Sequence, residues 1–139
     1  MKTGDMRPKL LYALLVLFLP TAFACKKEVP VSDSIIGTWE LSVDYGGWSG
    51  THYHKAGNDT LAVFTAKTYA FYQHGTLIKS GTYTTKKDTA YVFHQLKNRI
   101  IFDGQDSGYS HEFFDIADNQ LSIYLYAYDA GSTTYRRIK

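Results

Sequence analysis

Residues Gln120–Tyr128 read Gln-Leu-Ser-Ile-Tyr-Leu-Tyr-Ala-Tyr. Leu121, Ile123, Leu125 and Ala127 fall on one side of an extended chain, and Ser122, Tyr124, Tyr126 and Tyr128 on the other. Side chains alternate across a strand with a period of two, so this stretch is a strand with one apolar face. Asp118-Asn119 before it and Asp129 to Ser132 after it supply turn residues. The same pattern recurs outward in both directions.

Towards the N-terminus the period-two runs are Thr38 to Tyr45, Asn58 to Thr65, Thr68 to His74, Thr76 to Thr85, Thr89 to Gln95, Arg99 to Phe102 and Tyr109 to Ile116. In the first, Trp39, Leu41, Val43 and Tyr45 are expected to share a face. Ala66-Lys67, Gly75 and Lys86-Lys87-Asp88 are read as turns. After Gln120–Tyr128 the chain continues with Thr133 to Ile138. No stretch beyond residue 25 has apolar positions at the three- and four-residue spacing of a helix. The twelve tyrosines and eight phenylalanines suit a pleated, half-buried surface. The expectation is an all-β domain of about eight strands. A meander of short strands must manage its edges, and closure into a small antiparallel up-and-down barrel removes them. A two-sheet sandwich fits the same signals.

The start of the chain is different. Met1 to Lys9 is basic, and Leu10 to Leu19 is an unbroken apolar run of ten residues. A bilayer span needs about twenty, so the run reads as the core of a signal peptide. Thr21-Ala22-Phe23-Ala24 then precedes Cys25. This is the only cysteine in the chain, so it has no intramolecular disulfide partner. Cleavage by an ordinary signal peptidase fits Ala22-Phe23-Ala24 as well, which would leave a plain secreted domain with a free thiol.

Of the fifteen basic and thirteen acidic residues, Lys2, Arg7, Lys9 and Asp5 lie before Cys25. The remainder balances at twelve of each. A neutral domain lacks the basic footprint that nucleic acid requires. The length admits one domain, and the expected division is 1–24 signal peptide, 25–34 cysteine and polar tether, and 35–139 β-domain.

Ala24-Cys25 resembles the end of a lipobox, the signature of bacterial lipoproteins. That resemblance implies acylation of Cys25 and anchoring to a membrane. Each buried methylene contributes roughly 0.8 kcal/mol, and more than one acyl chain is needed for stable attachment. Lys26 in place of Asp after the cysteine favours the outer membrane.

Further on, Ile36-Gly37-Thr38-Trp39-Glu40-Leu41 resembles the opening strand of lipocalin-like (calycin) barrels, which begin Gly-x-Trp. Tyr135-Arg136-Arg137-Ile138 is similar to the closing Tyr-x-Arg-Ile of small bacterial lipocalin-like lipoproteins. Ser80-Gly81-Thr82-Tyr83 and Ala117-Asp118-Asn119-Gln120-Leu121 resemble two further strands of that group. The resemblance spans about Ile36 to Lys139. It implies that Trp39 plugs the closed end of a barrel and that Arg137 packs across it. It also implies that the first long loop, with Trp48, His52, Tyr53 and His54, lies over the open end as a lid for a small hydrophobic or aromatic ligand. Such a barrel is either filled by its own side chains or holds one small ligand.

Other chemistry is thinly signalled. His52 and His54, at i and i+2, could share a metal, but no third ligand is adjacent, and neither a metal nor any other cofactor is expected. His74, His94 and His111 are isolated. Asp103, Glu112 and Asp115 are the mid-chain carboxylates that could converge, with no nucleophile or base pattern around them, so no enzyme is expected. The alternative to a ligand carrier is an interaction scaffold using the tyrosine row Tyr124, Tyr126 and Tyr128 against another envelope component.

Overall fold

The computed structural model describes residues 34–90, 94–106, 111–125 and 130–139. Among them are nine strands: β1 (Gly37–Tyr45), β2 (Thr51–Tyr53), β3 (Leu61–Phe64), β4 (Thr68–Gln73), β5 (Thr76–Ala90), β6 (Gln95–Phe102), β7 (Glu112–Ala117), β8 (Gln120–Leu125) and β9 (Ser132–Arg137). The described residues are all-β apart from a 3-10 turn at Gly47–Ser49. All pairings are antiparallel, and β9 returns to β1. Eight strands, β1 and β3 to β9, thus close into a lipocalin-like up-and-down barrel. Strand β2 is an extra one, hydrogen-bonded to the end of β1 beyond β3.

The short hairpins follow turn chemistry. His74-Gly75 and Asp118-Asn119 have positive φ at both central positions, the geometry whose twist matches paired strands. The expected turn at Lys86-Lys87-Asp88 is instead strand. β5 runs unbroken to Ala90, pairing with β4 through Thr82 and with β6 from Tyr83 onward. Asp88 suits an outward strand position rather than a turn, because it receives Arg99 from β6 at 2.7 Å. The segment Thr89 to Gln95 is correspondingly not one strand: Thr89 and Ala90 end β5 and Gln95 begins β6. The shift of partners along β5 gives the stagger that a closed barrel requires.

A second correction concerns β1. The register slips by one residue between Leu41 and Val43. Before the slip, Leu41 opposes Tyr135, which packs against the core; after it, Asp44 opposes Thr133. Cross-strand partners share a face, and an extra residue inverts the alternation. Val43 and Tyr45 therefore leave the inner face, and Asp44 joins it.

The core is densest at the end where β1 begins and β9 finishes. Trp39, Phe64, Tyr69 and Leu121 are buried there. Trp39 donates its indole N–H to the Ile35 carbonyl at 2.8 Å, satisfying the one polar atom of the ring. Gly37 has φ +149°, and a Cβ there would stand 2.7 Å from the Lys139 carbonyl oxygen and 2.9 Å from an Arg137 nitrogen. Only glycine leaves that space open. Aromatic pairs fill the middle: Phe64 with Tyr83 at 5.3 Å and Tyr69 with Phe102 at 4.6 Å, both edge-to-face. Each such pair adds about 0.5–1.5 kcal/mol beyond the area it buries.

Two buried charged groups sit on the outer face. Glu40 accepts the Gly57 and Asn58 amides at 2.8 and 3.0 Å, pinning the loop between β2 and β3. Arg99 is held by Asp88 and by Asp106 at 2.5 Å. Pairing offsets the burial of these charges, although the buried Arg99 Nε has no hydrogen-bond partner among the described residues.

Candidate functional site

The opposite end of the barrel is built differently. Its inner face carries Asp44 from β1, Phe71 from β4, Lys79 from β5, Ile100 and Phe102 from β6, Glu112 from β7, Ile123 from β8 and Tyr135 from β9. The registers Phe71 with Lys79, Ile100 with Glu112 and Ile123 with Thr133 place them on the side of the core. Phe71, Phe102, Ile123 and Tyr135 are only partly buried, although they pack on the core cluster. The barrel is thus plugged at one end, while at the other these side chains pack on the core and stay partly exposed.

Polar groups punctuate the rim. His54 Nε2 lies 2.9 Å from Asp44 Oδ2. Tyr69 donates its hydroxyl to Asp103 at 2.7 Å, and Asp103 also accepts the Thr82 amide. That contact passes over Gly81, where a Cβ would meet the Asp103 carboxylate and the Tyr69 ring. Asp103 is held below the usual carboxylate range, first by the Tyr69 hydroxyl. The Lys79 ammonium stands 5.5 Å from the Tyr69 ring centre, 5.8 Å from that of Phe102 and 3.9 Å from Asp103. The Tyr69 interaction raises its pKa.

Two rim groups have no hydrogen-bond partner among the described residues: the Tyr135 hydroxyl and the Glu112 carboxyl. Burial pushes Tyr135 up to about 12, with a smaller push from the Asp44 charge. Burial also raises Glu112, opposed by Lys79. A half-buried polar group without a partner costs free energy that a ligand can recover. Beside Glu112 a cleft of about 270 Å³ opens between β6 and the start of β7. A larger open groove of about 600 Å³ lies outside the plugged end, around Ile35, Ile36, Ala66 and Tyr83.

The residues singled out from sequence fall in several places. Arg137 and Trp39 meet at the plugged end, with the guanidinium carbon 4.0 Å from the ring centre. Trp48 is fully exposed at the tip of the β1–β2 hairpin, and Tyr53 is 81% exposed on its outward side. A fully exposed ring covers nothing, so neither lies over the barrel end opposite Trp39. His54 reaches the rim through Asp44, whereas His52, opposite Asp44 in β2, remains exposed.

Among the described residues, no group of three or more His, Cys, Asp or Glu side chains is placed to hold a metal. Asp103, Glu112 and Asp115 do not converge. Asp115 lies on the outer face, accepting Lys97 and the Tyr124 hydroxyl. His74 and His94 sit in turns with positive φ, and His111 is half-buried near Asp106. Cys25 lies outside the described residues, as do Tyr126 and Tyr128.

Asp44, Lys79 and Tyr135 were not picked out by sequence reasoning as site residues. The bulge hid Asp44. Tyr135 was legible, since Thr133 and Tyr135 share a face by alternation, and that face is the one opposite Leu121 and Ile123. No family model, curated protein or solved structure matches the chain.

Proposed function

We propose that this protein is a bacterial envelope lipoprotein, anchored through an acylated Cys25, whose barrel holds one small hydrophobic or aromatic ligand in a cup at the end opposite Trp39. The observation that carries the ligand reading is the contrast between the two ends. Trp39 and Arg137 close one, while the other leaves Phe71, Phe102, Ile123 and Tyr135 partly uncovered around unpartnered polar groups. Apolar walls with a few fixed polar groups are the usual anatomy of a small-molecule site. The mechanism is sequestration: the rings exclude water from the apolar part of the ligand, and the rim fixes its orientation. The anchor rests on the basic, apolar and Ala24-Cys25 pattern of the leader. Binding of naphthalene, followed by chemical-shift changes in the full chain, tests the cup. Shifts at Phe71, Phe102 and Tyr135 are expected, and shifts confined to the exterior, or none, would overturn it.

A second reading, a non-enzymatic scaffold for another envelope protein, is favoured by the exposed hairpin. Trp48 and Tyr53 are the residue types that dominate protein interfaces, and both stand in solvent. Trp48→Ala separates the two readings: loss of a co-purifying protein with unchanged naphthalene binding supports the scaffold.

A further inference from the structure

Strand β5 outruns its neighbour on one side. Its pairs with β4 end at Thr82 opposite Thr68, whereas its pairs with β6 continue to Ala90 opposite Gln95. In an antiparallel pair the N–H and C=O of one residue leave on the same side, and the side switches at each step. Thr82 turns towards β6, accepting the Asp103 amide, and Tyr83 turns the other way, donating to the Lys67 carbonyl at 3.0 Å. By alternation Thr85 and Lys87 face the same way as Tyr83. Both are exposed, and among the described residues nothing pairs with them on that side. The Thr89 amide is capped by the Asp88 carboxylate. An open row of backbone donors and acceptors is a template for one more strand. Beside it lies the groove of about 600 Å³ that Ile35, Ile36, Ala66, Tyr83, Thr84 and Thr85 line. Ser34 lines it too, with its carbonyl held by Arg137 at 2.6 Å. The chain therefore enters the barrel at this edge.

We infer that the tether, residues 26–33, which lie outside the described residues, adds to the free edge of β5 as an antiparallel strand with Val29 and Val31 over the groove. Ser34 sits beside Tyr83 to Thr85, so a tether lying on the edge reaches back towards Thr89 and runs opposite to β5. Eight extended residues span about 27 Å, enough for the roughly 20 Å from Tyr83 to Thr89. The run Val29-Pro30-Val31 suits an outermost strand. Proline has no N–H, and a sheet accepts it where that position faces solvent. With Pro30 turned outward, Val29 and Val31 turn their amides to β5. Cross-strand partners share a face, so both valines fall on the side of Tyr83, which belongs to the core. Pro30 then blocks the new edge against a further strand. A separate partner would compete with a segment joined directly to the groove, whose effective concentration is on the order of millimolar. The inference is independent of any ligand at the other end. For a protein anchored at Cys25 it turns the plugged end towards the membrane.

Amide hydrogen exchange, followed residue by residue on the protein purified from the bacterial envelope in detergent micelles, tests the inference. The Thr85 and Lys87 amides are expected to exchange at least about tenfold more slowly than in a double variant, Val29→Pro with Val31→Pro, which lacks both pairing donors. Pro30→Ala should keep the protection, because its nitrogen faces away from β5. Unchanged exchange at Leu41 and Phe64 checks that the barrel itself remains folded in each variant. Fast exchange at Thr85 and Lys87 in the unsubstituted protein would overturn the inference. Slow exchange that survives the double substitution would do so too, since something other than the tether would then cover the edge. Protection that grows with protein concentration would assign the edge to a second copy and equally overturn it.

Discussion

The guanidinium carbon of Arg137 lies 4.0 Å from the centre of the Trp39 ring, and its terminal nitrogens donate to the carbonyls of Ile36 and Ser34 at 3.0 and 2.6 Å. One side chain from the last strand thus covers the plug of the first and fixes the chain leading into it. Closure of the sheet and closure of the barrel end depend on the same residue.

Arg137→Met keeps an unbranched apolar stem over the indole but removes the cation and both hydrogen bonds. The cation–π contact alone is worth about 0.5–2 kcal/mol. Trp39→Ala removes the plug itself, and a cost of about 3–5 kcal/mol is expected. Urea midpoints at constant slope measure both, with Trp39→Ala the larger loss.

Gly81 is required by what crosses above it. A Cβ at this position would collide with an Asp103 carboxylate oxygen and lie 3.0 Å from the Tyr69 ring. Gly81→Ala should lower stability by about 1–3 kcal/mol through overpacking. Asp103→Ala in the same chain removes the nearer clash, so the double variant should be less destabilised than the two single losses added together. A thermodynamic cycle on the four proteins reads that coupling.

Tyr135 should be the last described phenol to ionise, near pH 12. Its ordinary value in the unfolded chain is 10.0. The unfolded state therefore loses the proton first, and the stability that the neutral phenol contributes below pH 10 is lost as pH rises towards 12. Tyr135→Phe should flatten the alkaline limb of the stability profile and delete the highest component of the tyrosinate absorbance titration.

The acid limb has the opposite sign. Asp88 is held below its ordinary 3.8, first by Arg99. Its ion pair contributes stability above pH 3.8 that is lost as the pH falls through the lower folded value. Asp88→Asn should reduce the pH dependence of the unfolding midpoint in that acid range.

Much of the barrel was readable from alternation, because each strand shows one face to a core and one to solvent. Gln120 to Leu125 shows this most cleanly. The Gly-x-Trp run marked where the plug would be, and the close approach of Lys139 and Arg137 to Gly37 explains why glycine precedes it. Two features escaped for physical reasons. Lys86-Lys87-Asp88 looks like a turn by composition, but Asp88 has a cross-strand partner in Arg99 that only the paired sheet supplies. The β1 bulge changes no residue type, yet it exchanges Val43 for Asp44 on the inner face. The rim shared by Asp44, Lys79, Glu112 and Tyr135 depends on closure, which brings four distant strands to one mouth. No local pattern encodes that.

The central claim is that the cup carries a ligand. Native mass spectrometry of the full chain, purified from the bacterial envelope, tests it most directly. A discrete added mass that is lost on denaturation, separate from any acyl mass retained on Cys25, is the predicted result. A native mass identical to the denatured one would contradict the claim.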